Sequence, residues 1–230
     1  MTRDRYARLA GFMFLFVIAA YIAAMIIAAR LQVPGDFAAT ARTVLASETL
    51  YRFALSCNLI SGVCTLLLAM GLYVILKPVD ADFALLALLF RTIEAGLTGV
   101  SVIFSFALLR LYKGGDPITA FDPNQLAVFS ALRGAAGTAS YNVTAFFFGF
   151  GSILFFWLFL KSNIIPKALS IIGIIGSVLV PIICYASLVW PQYAKTLQIG
   201  WIPIAIAEVS VGVLLLVRGV GVDVGGGGGS

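Results

Sequence analysis

Six apolar runs, each long enough to cross a lipid bilayer, constrain the fold of this chain more than any other feature. A helix rises about 1.5 Å per residue, so about 20 residues cross a hydrocarbon layer of about 30 Å. Strand-like alternation is absent, and a segment in lipid must satisfy its own backbone polar groups. We therefore predict an all-α, polytopic membrane protein, a six-transmembrane-helix bundle in residues 1–219, with spans near residues 9–29, 53–76, 83–109, 138–160, 168–190 and 199–217.

The composition leaves no room for a second, soluble domain. Hydrophobic residues make up 61% of the chain and charged residues 11%, against about 45–50% and about 25% in soluble domains. The first run follows basic residues, as in a signal peptide, but it is too long and lacks a clear cleavage site. We interpret it as a retained span. The glycine-rich residues 225–230 are expected to be an artificial flexible linker outside the fold.

Two of the connections between spans are much longer than the others, and both contain signs of a helix. Asp122, Pro123 and Gln125 form the pattern of an N-cap, a first-turn proline and a capping-box partner, which predicts a helix beginning well before the fourth span. The stretch after "PGD" (residues 34–36) favours a helix that runs into the second span. These helical extensions either pack on the end of the bundle as interfacial helices or form a lid over a cavity.

An even number of spans places both termini on one side of the membrane, with the two extensions on the other. Basic residues near span ends favour the cytoplasmic side. Three arginines precede the first span, and lysines occupy the tightest turns, although the other side carries as many basic residues in longer loops. We predict a multi-pass protein of the cell membrane with cytoplasmic termini and extensions on the non-cytoplasmic side. Near span ends, tryptophans are expected to form an aromatic belt, at Trp157, Trp190 and Trp201.

The absence of histidine excludes several kinds of catalytic and metal chemistry within this chain. A Ser-His or Cys-His nucleophile, a His-ligated metal and a haem with histidine ligands all require that side chain. Ser152 lies among glycines, as in some intramembrane proteases, but no mid-membrane lysine or histidine could activate it. Cys57, Cys64 and Cys184 lie within spans and are expected to be packing residues. We predict a protein that is not an enzyme and has no cofactor, metal site or catalytic residue.

Five blocks of sequence resemble a known family. They are "ASETLYRFALSCNLISG", "YVILKPVD", "LLFRTIEAGLTG", "YNVTAFFFGFGSILFFWLFLKSNIIPKALSIIGIIG" and "IPIAIAEVSVGVLLLVRG". Together they resemble the bacterial integral-membrane family called domain of unknown function 4386, over nearly the whole chain. The resemblance implies a six-helix protein of the prokaryotic cell membrane. It implies no activity and no ligand.

The block "LLFRTIEAGLTG" (residues 88–99) places two charges in an apolar span. Arg91 and Glu94 are three residues apart and share a helix face, which must point into the bundle if the helix is to survive in lipid. Glu208 is a second acid, in the sixth span. Pairing is strongly favoured because an isolated charge at the membrane centre costs about 2.5–3.5 kcal/mol. Pro203, five residues before Glu208, is expected to bend the sixth span.

Two acids against one intramembrane arginine leave one negative charge unbalanced. Arg52 or Arg133, a proton on a carboxyl group or a bound cation would offset it. Polar side chains on neighbouring spans complete the candidate binding site, which comprises Arg91, Glu94, Glu208, Asn58, Asn142, Tyr141 and Arg52. Either the three intramembrane charges clamp the third span to the sixth, or they form a functional polar site.

Two classes of function follow from this site. In the first, the protein binds or transports a small ion, with Glu94 or Glu208 as the binding or titrating group. In the second, it is a non-catalytic structural, receptor or lipid-binding protein that holds an apolar or amphiphilic ligand, and the charges only fix helix packing. The expected partners are membrane lipids and a small ion or amphiphilic ligand, with no nucleic acid. We favour binding or transport over catalysis.

Overall fold

The computed structural model describes residues 2–113 and 122–220, and it confirms the predicted fold class. Within those residues the chain is almost entirely helical and contains no strand. The helices are α1 Arg3–Leu31, α2 Phe37–Ala46, α3 Glu48–Leu76, α4 Ala81–Lys113, α5 Pro123–Ser162, α6 Lys167–Val189 and α7 Ile202–Arg218, with short helical turns at Pro191–Tyr193, Ala194–Leu197 and Gln198–Trp201. Six of the described helical segments are long and apolar enough to cross a membrane: α1, α3, α4, α5, α6 and the segment Gln198–Arg218, which joins the last short turn to α7. The linker predicted at residues 225–230 lies outside the described residues.

The spanning helices alternate in direction, so their ends form two sides of the bundle. The N-terminal side contains the start of α1, the end of α7 and the two tight turns at residues 77–80 and 163–166. Side chains join these ends, since the Arg3 guanidinium donates a hydrogen bond of 2.7 Å to the Ile75 carbonyl at the end of α3. The opposite side contains α2, the start of α5 and the connection between α6 and α7.

The first extension is a separate helix, α2. We predicted that it would run into the second span, and it does not. Asp36 caps its start by accepting a hydrogen bond from the Ala39 N–H at 2.8 Å. Ser47 then leaves the helical conformation, at φ −128° and ψ 41°, before α3 begins. After this break α2 packs on the end of the bundle, where it buries Phe37 and Val44.

The second extension is the first half of α5, and its predicted cap is confirmed. The Asp122 carboxylate accepts hydrogen bonds from the Asn124 and Gln125 N–H groups at 2.8 and 2.9 Å. The Gln125 side chain accepts from the Asp122 N–H at 3.0 Å, which completes the capping box. α5 has 40 residues, so it is about 60 Å long, twice the thickness of a hydrocarbon layer. Its first half therefore projects on the opposite side.

The α2 helix packs on the end of the bundle through aromatic side chains. The Phe37 ring lies 5.3 Å from the Tyr112 ring of α4 and 6.0 Å from the Phe129 ring of α5. Together with Leu31, Val44 and their neighbours these side chains form an apolar cluster apart from the main core. This is the contact pattern of a helix packed on the bundle end. The interpretation of α2 as a lid stays a prediction.

The six spanning helices close into a ring in the order α1, α3, α4, α5, α6, α7 and back to α1. Glycines permit the closest approaches around α7. A Cβ atom on Gly11 would lie 2.6 Å from the Gly212 carbonyl oxygen, and one on Gly176 would lie 2.8 Å from Cα of Ile204. These two contacts seat α7 against α1 and α6. In this order α4 faces α7 across the ring, and α1 faces α5.

Each of the last two spans contains a proline. Pro203 lies in the first turn of α7, directly after the 3₁₀ turn Gln198–Trp201, and the bend expected there stays a prediction. Pro181 lies inside α6, where we did not predict an irregularity. Gly149 of α5 packs against this proline: a Cβ atom there would lie 2.5 Å from Cδ of Pro181 and 3.2 Å from the Ser177 carbonyl oxygen, which the proline leaves without a donor. The α5–α6 interface thus covers the irregular turn.

Candidate functional site

Arg91 and Glu94 form an ion pair inside the bundle, as their spacing predicted. Nη1 of Arg91 lies 3.1 Å from Oε2 of Glu94, one turn further along α4. Arg91 is only 3% exposed, and Glu94 is largely buried. The contact lacks hydrogen-bond geometry: within the described residues, Nε and Nη1 of Arg91 and Oε2 of Glu94 have no hydrogen-bond partner. The two charges compensate each other, but these three atoms keep unused hydrogen-bonding capacity.

Glu208 of α7 is the second buried acid of this site. It is 8% exposed, and its carboxylate interacts electrostatically with Arg91 and Glu94. The hydroxyl of Ser152, a buried residue of α5, lies within hydrogen-bonding reach of it. No basic nitrogen in the part of the chain that the structure describes lies within 4.0 Å of the Glu208 carboxylate. Glu208 therefore lacks an ion-pair partner of its own.

Arg91, Ser152 and Glu208 lie at one level of the bundle. Arg91 is 10 residues from the start of α4, while Ser152 and Glu208 are each 10 residues from the ends of α5 and α7. All three therefore lie about 15 Å from the N-terminal side, half the thickness of a hydrocarbon layer. Because α4 and α7 face each other across the ring, the electrostatic contact between Arg91 and Glu208 crosses the bundle interior.

The α5 helix provides the wall beside Arg91. Gly151 leaves room for the arginine stem, since a Cβ atom there would lie 2.9 Å from Cδ of Arg91. The Phe148 ring lies under the guanidinium, with Cζ of Arg91 4.7 Å from the ring centroid, which is a cation–π contact. Residues 148 and 152 are one helical turn apart and so share the face of α5 that carries Ser152. One face of α5 therefore supplies both the ring and the hydroxyl of the site.

A row of aromatic side chains, Phe148, Trp201, Tyr141 and Tyr21, leads from the charges toward the opposite side. The Phe148 and Trp201 rings are stacked with centroids 6.0 Å apart, and Trp201 lies 5.8 Å from the Tyr141 ring. Tyr141 is within hydrogen-bonding reach of Tyr21, on the facing helix α1. Along the helices, Phe148 lies about 21 Å from the N-terminal side and Tyr141 about 31 Å. We call these four residues the aromatic row.

The structure brings together only some of the predicted site residues. Asn58 lies on α3, 18 residues from its end, and is therefore about 12 Å further from the N-terminal side than Arg91. The Asn142 amide donates to the Thr138 carbonyl of its own helix at 2.9 Å. Tyr141 belongs to the aromatic row and not to the charged cluster.

The two arginines proposed to balance the excess acid do not lie beside it. Arg52 is at the start of α3, where its Nε lies 2.7 Å from the Glu48 carboxylate, which also contacts Lys113 at 2.9 Å. Arg133 acts electrostatically on Tyr51 and Tyr112 near the opposite side. With both carboxylates ionised, the cluster of Arg91, Glu94 and Glu208 therefore keeps an excess of one negative charge.

Sequence reasoning missed three residues of the site. Ser152 was considered only as a nucleophile, whereas its place in the structure is beside Glu208. Phe148 is one of several phenylalanines in the same sequence block, and we did not single it out. Trp201 was expected to be part of an interfacial belt, but it is half-buried, its ring stacks on Phe148, and its indole nitrogen is buried without a hydrogen-bond partner among the described residues. The four-residue spacing of Phe148 and Ser152 was the available signal, since it places both on one helix face.

Comparison with known proteins identifies a family but no characterised relative. The family described as "Domain of unknown function (DUF4386)" matches residues 9–219, which confirms the resemblance found in the sequence blocks. No curated protein matches the chain, and no solved structure does. The match therefore supports an integral membrane protein and leaves its activity to be argued from the site.

Proposed function

The chain belongs to the DUF4386 family, and we propose that this integral membrane protein binds or transports a small cation at the cluster of Arg91, Glu94, Glu208 and Ser152, without catalysing a reaction. The observation that carries the proposal is Glu208, a buried acid that interacts with Arg91 across the bundle interior and has no basic nitrogen within 4.0 Å in the described residues. A charge left at this depth costs about 2.5–3.5 kcal/mol or more. A bound cation or a proton removes that cost.

A purely structural clamp fits the geometry less well. The ion pair with a short distance, Arg91 to Glu94, joins two residues of the same helix and therefore cannot hold α4 to α7. The interaction that does cross the ring, between Arg91 and Glu208, is longer than 4.0 Å. Helix packing around α7 rests instead on the glycine contacts with α1 and α6. In the described part of the chain, Glu208 therefore makes no interhelical ion pair that would explain its presence as a helix clamp.

The test compares cations at one ionic strength. The thermal unfolding of the purified full chain is measured in sodium, potassium and choline chloride, which share the anion and the screening. We expect one cation to stabilise the protein more than the others, by about 1.4 kcal/mol at ten times its Kd. Glu208→Gln should melt near the wild type but lose this difference between cations, because the amide keeps the shape of the side chain and removes its charge.

The matched control is Glu48→Gln, which removes an acid from a surface ion pair at the start of α3. A surface pair contributes only about 0–1 kcal/mol, and this variant should keep the wild-type preference among cations. Equal melting in all three salts would reject the proposed cation site. A preference that survives in Glu208→Gln would place the site elsewhere in the chain.

We also propose that the N-terminal side faces the cytoplasm. Its support is the position of Arg3, Arg5 and Arg8 in the first two turns of α1 and of Lys77 and Lys161 at the tight turns. A cysteine at Lys77 should be protected in intact cells from a membrane-impermeant thiol reagent, whereas a cysteine at Gly35, in the turn before α2, should react. The native chain with its own cysteines gives the background labelling. The reverse pattern would invert the orientation and leave the fold unchanged.

A further inference from the structure

The aromatic row extends the charged cluster into a site with two further unsatisfied groups. The Phe148 ring contacts both the Arg91 guanidinium and the Trp201 ring. Nε of Arg91 and the indole nitrogen of Trp201 are both buried N–H donors without a hydrogen-bond partner among the described residues. Buried donors are normally paired, and each unpaired one costs about 1–3 kcal/mol. The site therefore offers two donors to an oxygen acceptor and, with both carboxylates ionised, carries an excess of one negative charge.

The row is partly exposed at its outer end. Tyr21 is within hydrogen-bonding reach of Tyr141 across the ring, yet Tyr21 remains 42% exposed. Tyr21 lies about 27 Å from the N-terminal side, toward the opposite end of the spanning helices. From there the aromatic row continues inward to Arg91.

Aromatic faces and an unbalanced carboxylate favour the same kind of ligand. The face of an aromatic ring attracts an ammonium group, most strongly for tryptophan and where water is excluded. For an inorganic ion such as Na⁺, contact with the aromatic row contributes little binding free energy compared with the hydration that the ion would lose. For an ammonium ion with apolar substituents, contact with the rings contributes binding free energy, and its single positive charge balances the excess charge near Glu208.

From these observations we infer that the ligand is a small organic ammonium ion with an oxygen acceptor near its charged nitrogen, which reaches Glu208 and Glu94 along the aromatic row from the opposite side. The inference rests on the proposed cation site and names the class of cation. The ammonium group lies against Phe148 and Trp201 with its charge toward the two acids. The oxygen accepts from the Arg91 and Trp201 N–H groups.

The probe is choline, which carries a quaternary ammonium group and one hydroxyl. Thermal unfolding of the purified full chain is followed against choline chloride, with sodium chloride replaced to keep the ionic strength constant. The neutral comparison is 3,3-dimethylbutan-1-ol, in which a carbon atom replaces the charged nitrogen. We expect choline to stabilise the protein in a saturable manner and the neutral alcohol to have no saturable effect. Glycine betaine, which has no net charge, should bind more weakly than choline because it leaves the excess negative charge in place.

Variants of one tryptophan test the role of the row. Trp201→Leu should weaken the apparent affinity for choline roughly tenfold, within the range of about 2- to 30-fold expected for a cation–π contact. Trp201→Phe keeps a ring but loses the N–H, and its loss of affinity should be smaller. The control is Trp157→Leu on the outer face of α5, where the side chain is 43% exposed, and this variant should bind choline as the wild type does.

The outcomes separate this inference from the proposed function. If sodium or potassium is preferred over choline and the preference is lost in Glu208→Gln, the cation site stands and the organic ligand is rejected. If no cation is distinguished, both proposals fail. Equal stabilisation by choline and its neutral isostere would also reject the inference, and this comparison needs only the wild type, so it holds even if Trp201→Leu does not fold. An unchanged choline affinity in a folded Trp201→Leu would overturn it as well.

Discussion

Replacing Arg91 with methionine is expected to lower the free energy of unfolding by about 3–5 kcal/mol, the cost of removing one partner of a buried ion pair. Arg91 is 3% exposed, and its removal leaves Glu94 and Glu208 as two uncompensated acids at mid-membrane depth. Methionine fills much of the volume of the arginine stem beside Gly151, so the loss reports the charge and not a cavity. Chemical or thermal unfolding of the purified protein in detergent measures the change.

Removing one of the two acids as well should restore part of the lost stability. Arg91→Met combined with Glu94→Gln should melt higher than Arg91→Met alone, and so should the combination with Glu208→Gln. Glu94 should be the better rescuer, because its carboxylate is 3.1 Å from the arginine whereas Glu208 lies beyond 4.0 Å. The double-mutant cycles give the two coupling energies, which for residues in contact are about 0.5–3 kcal/mol.

The control for this series is Arg52→Met, which breaks a surface pair with Glu48. It should cost less than about 1 kcal/mol, because exposed ion pairs contribute little. If Glu208→Gln rescues Arg91→Met more than Glu94→Gln does, the main partner of the arginine is across the ring, and the clamp interpretation becomes the better one. If Arg91→Met costs no more than Arg52→Met, the guanidinium is not buried as the structure describes.

A single methyl group at Gly11 is expected to destabilise the protein by about 1–3 kcal/mol or more, as overpacking does in other cores. The Cβ atom of Gly11→Ala would meet three backbone atoms of α7, among them the Gly212 carbonyl oxygen at 2.6 Å and the Leu215 carbonyl carbon at 2.9 Å. Backbone atoms cannot rotate away as the end of a side chain can. The methyl group must therefore push α1 and α7 apart at the point where the ring closes.

The control for this change is Gly134→Ala in the extension of α5. A Cβ atom at Gly134 has nothing within 4 Å, and alanine is the better helix former, so this variant should be neutral or up to about 1 kcal/mol more stable. Unfolding of both variants under the same conditions gives the comparison. A Gly11→Ala protein as stable as the Gly134→Ala protein would show that α1 and α7 are not in close contact.

The number and kind of the helices could be read from the sequence. Lipid supplies no hydrogen bonds to the backbone, so an apolar run of sufficient length has to be a helix, and six such runs give six spans. The cap at Asp122 is equally local, since it uses only residues within one turn. The three-residue spacing of Arg91 and Glu94 already placed both on one helix face, and the structure shows them 3.1 Å apart.

The partners across the ring were decided only by the tertiary structure. In a soluble protein the core face of a helix is apolar and the outer face polar, but lipid is as apolar as the core, so a spanning helix carries no such signal. The inward position of Trp201, the place of Ser152 beside Glu208 and the closure of α1 on α7 therefore could not be predicted. Each depends on contacts between residues far apart in sequence. Local sequence determined where the helices are, and close packing of small residues determined which side chains they bring together.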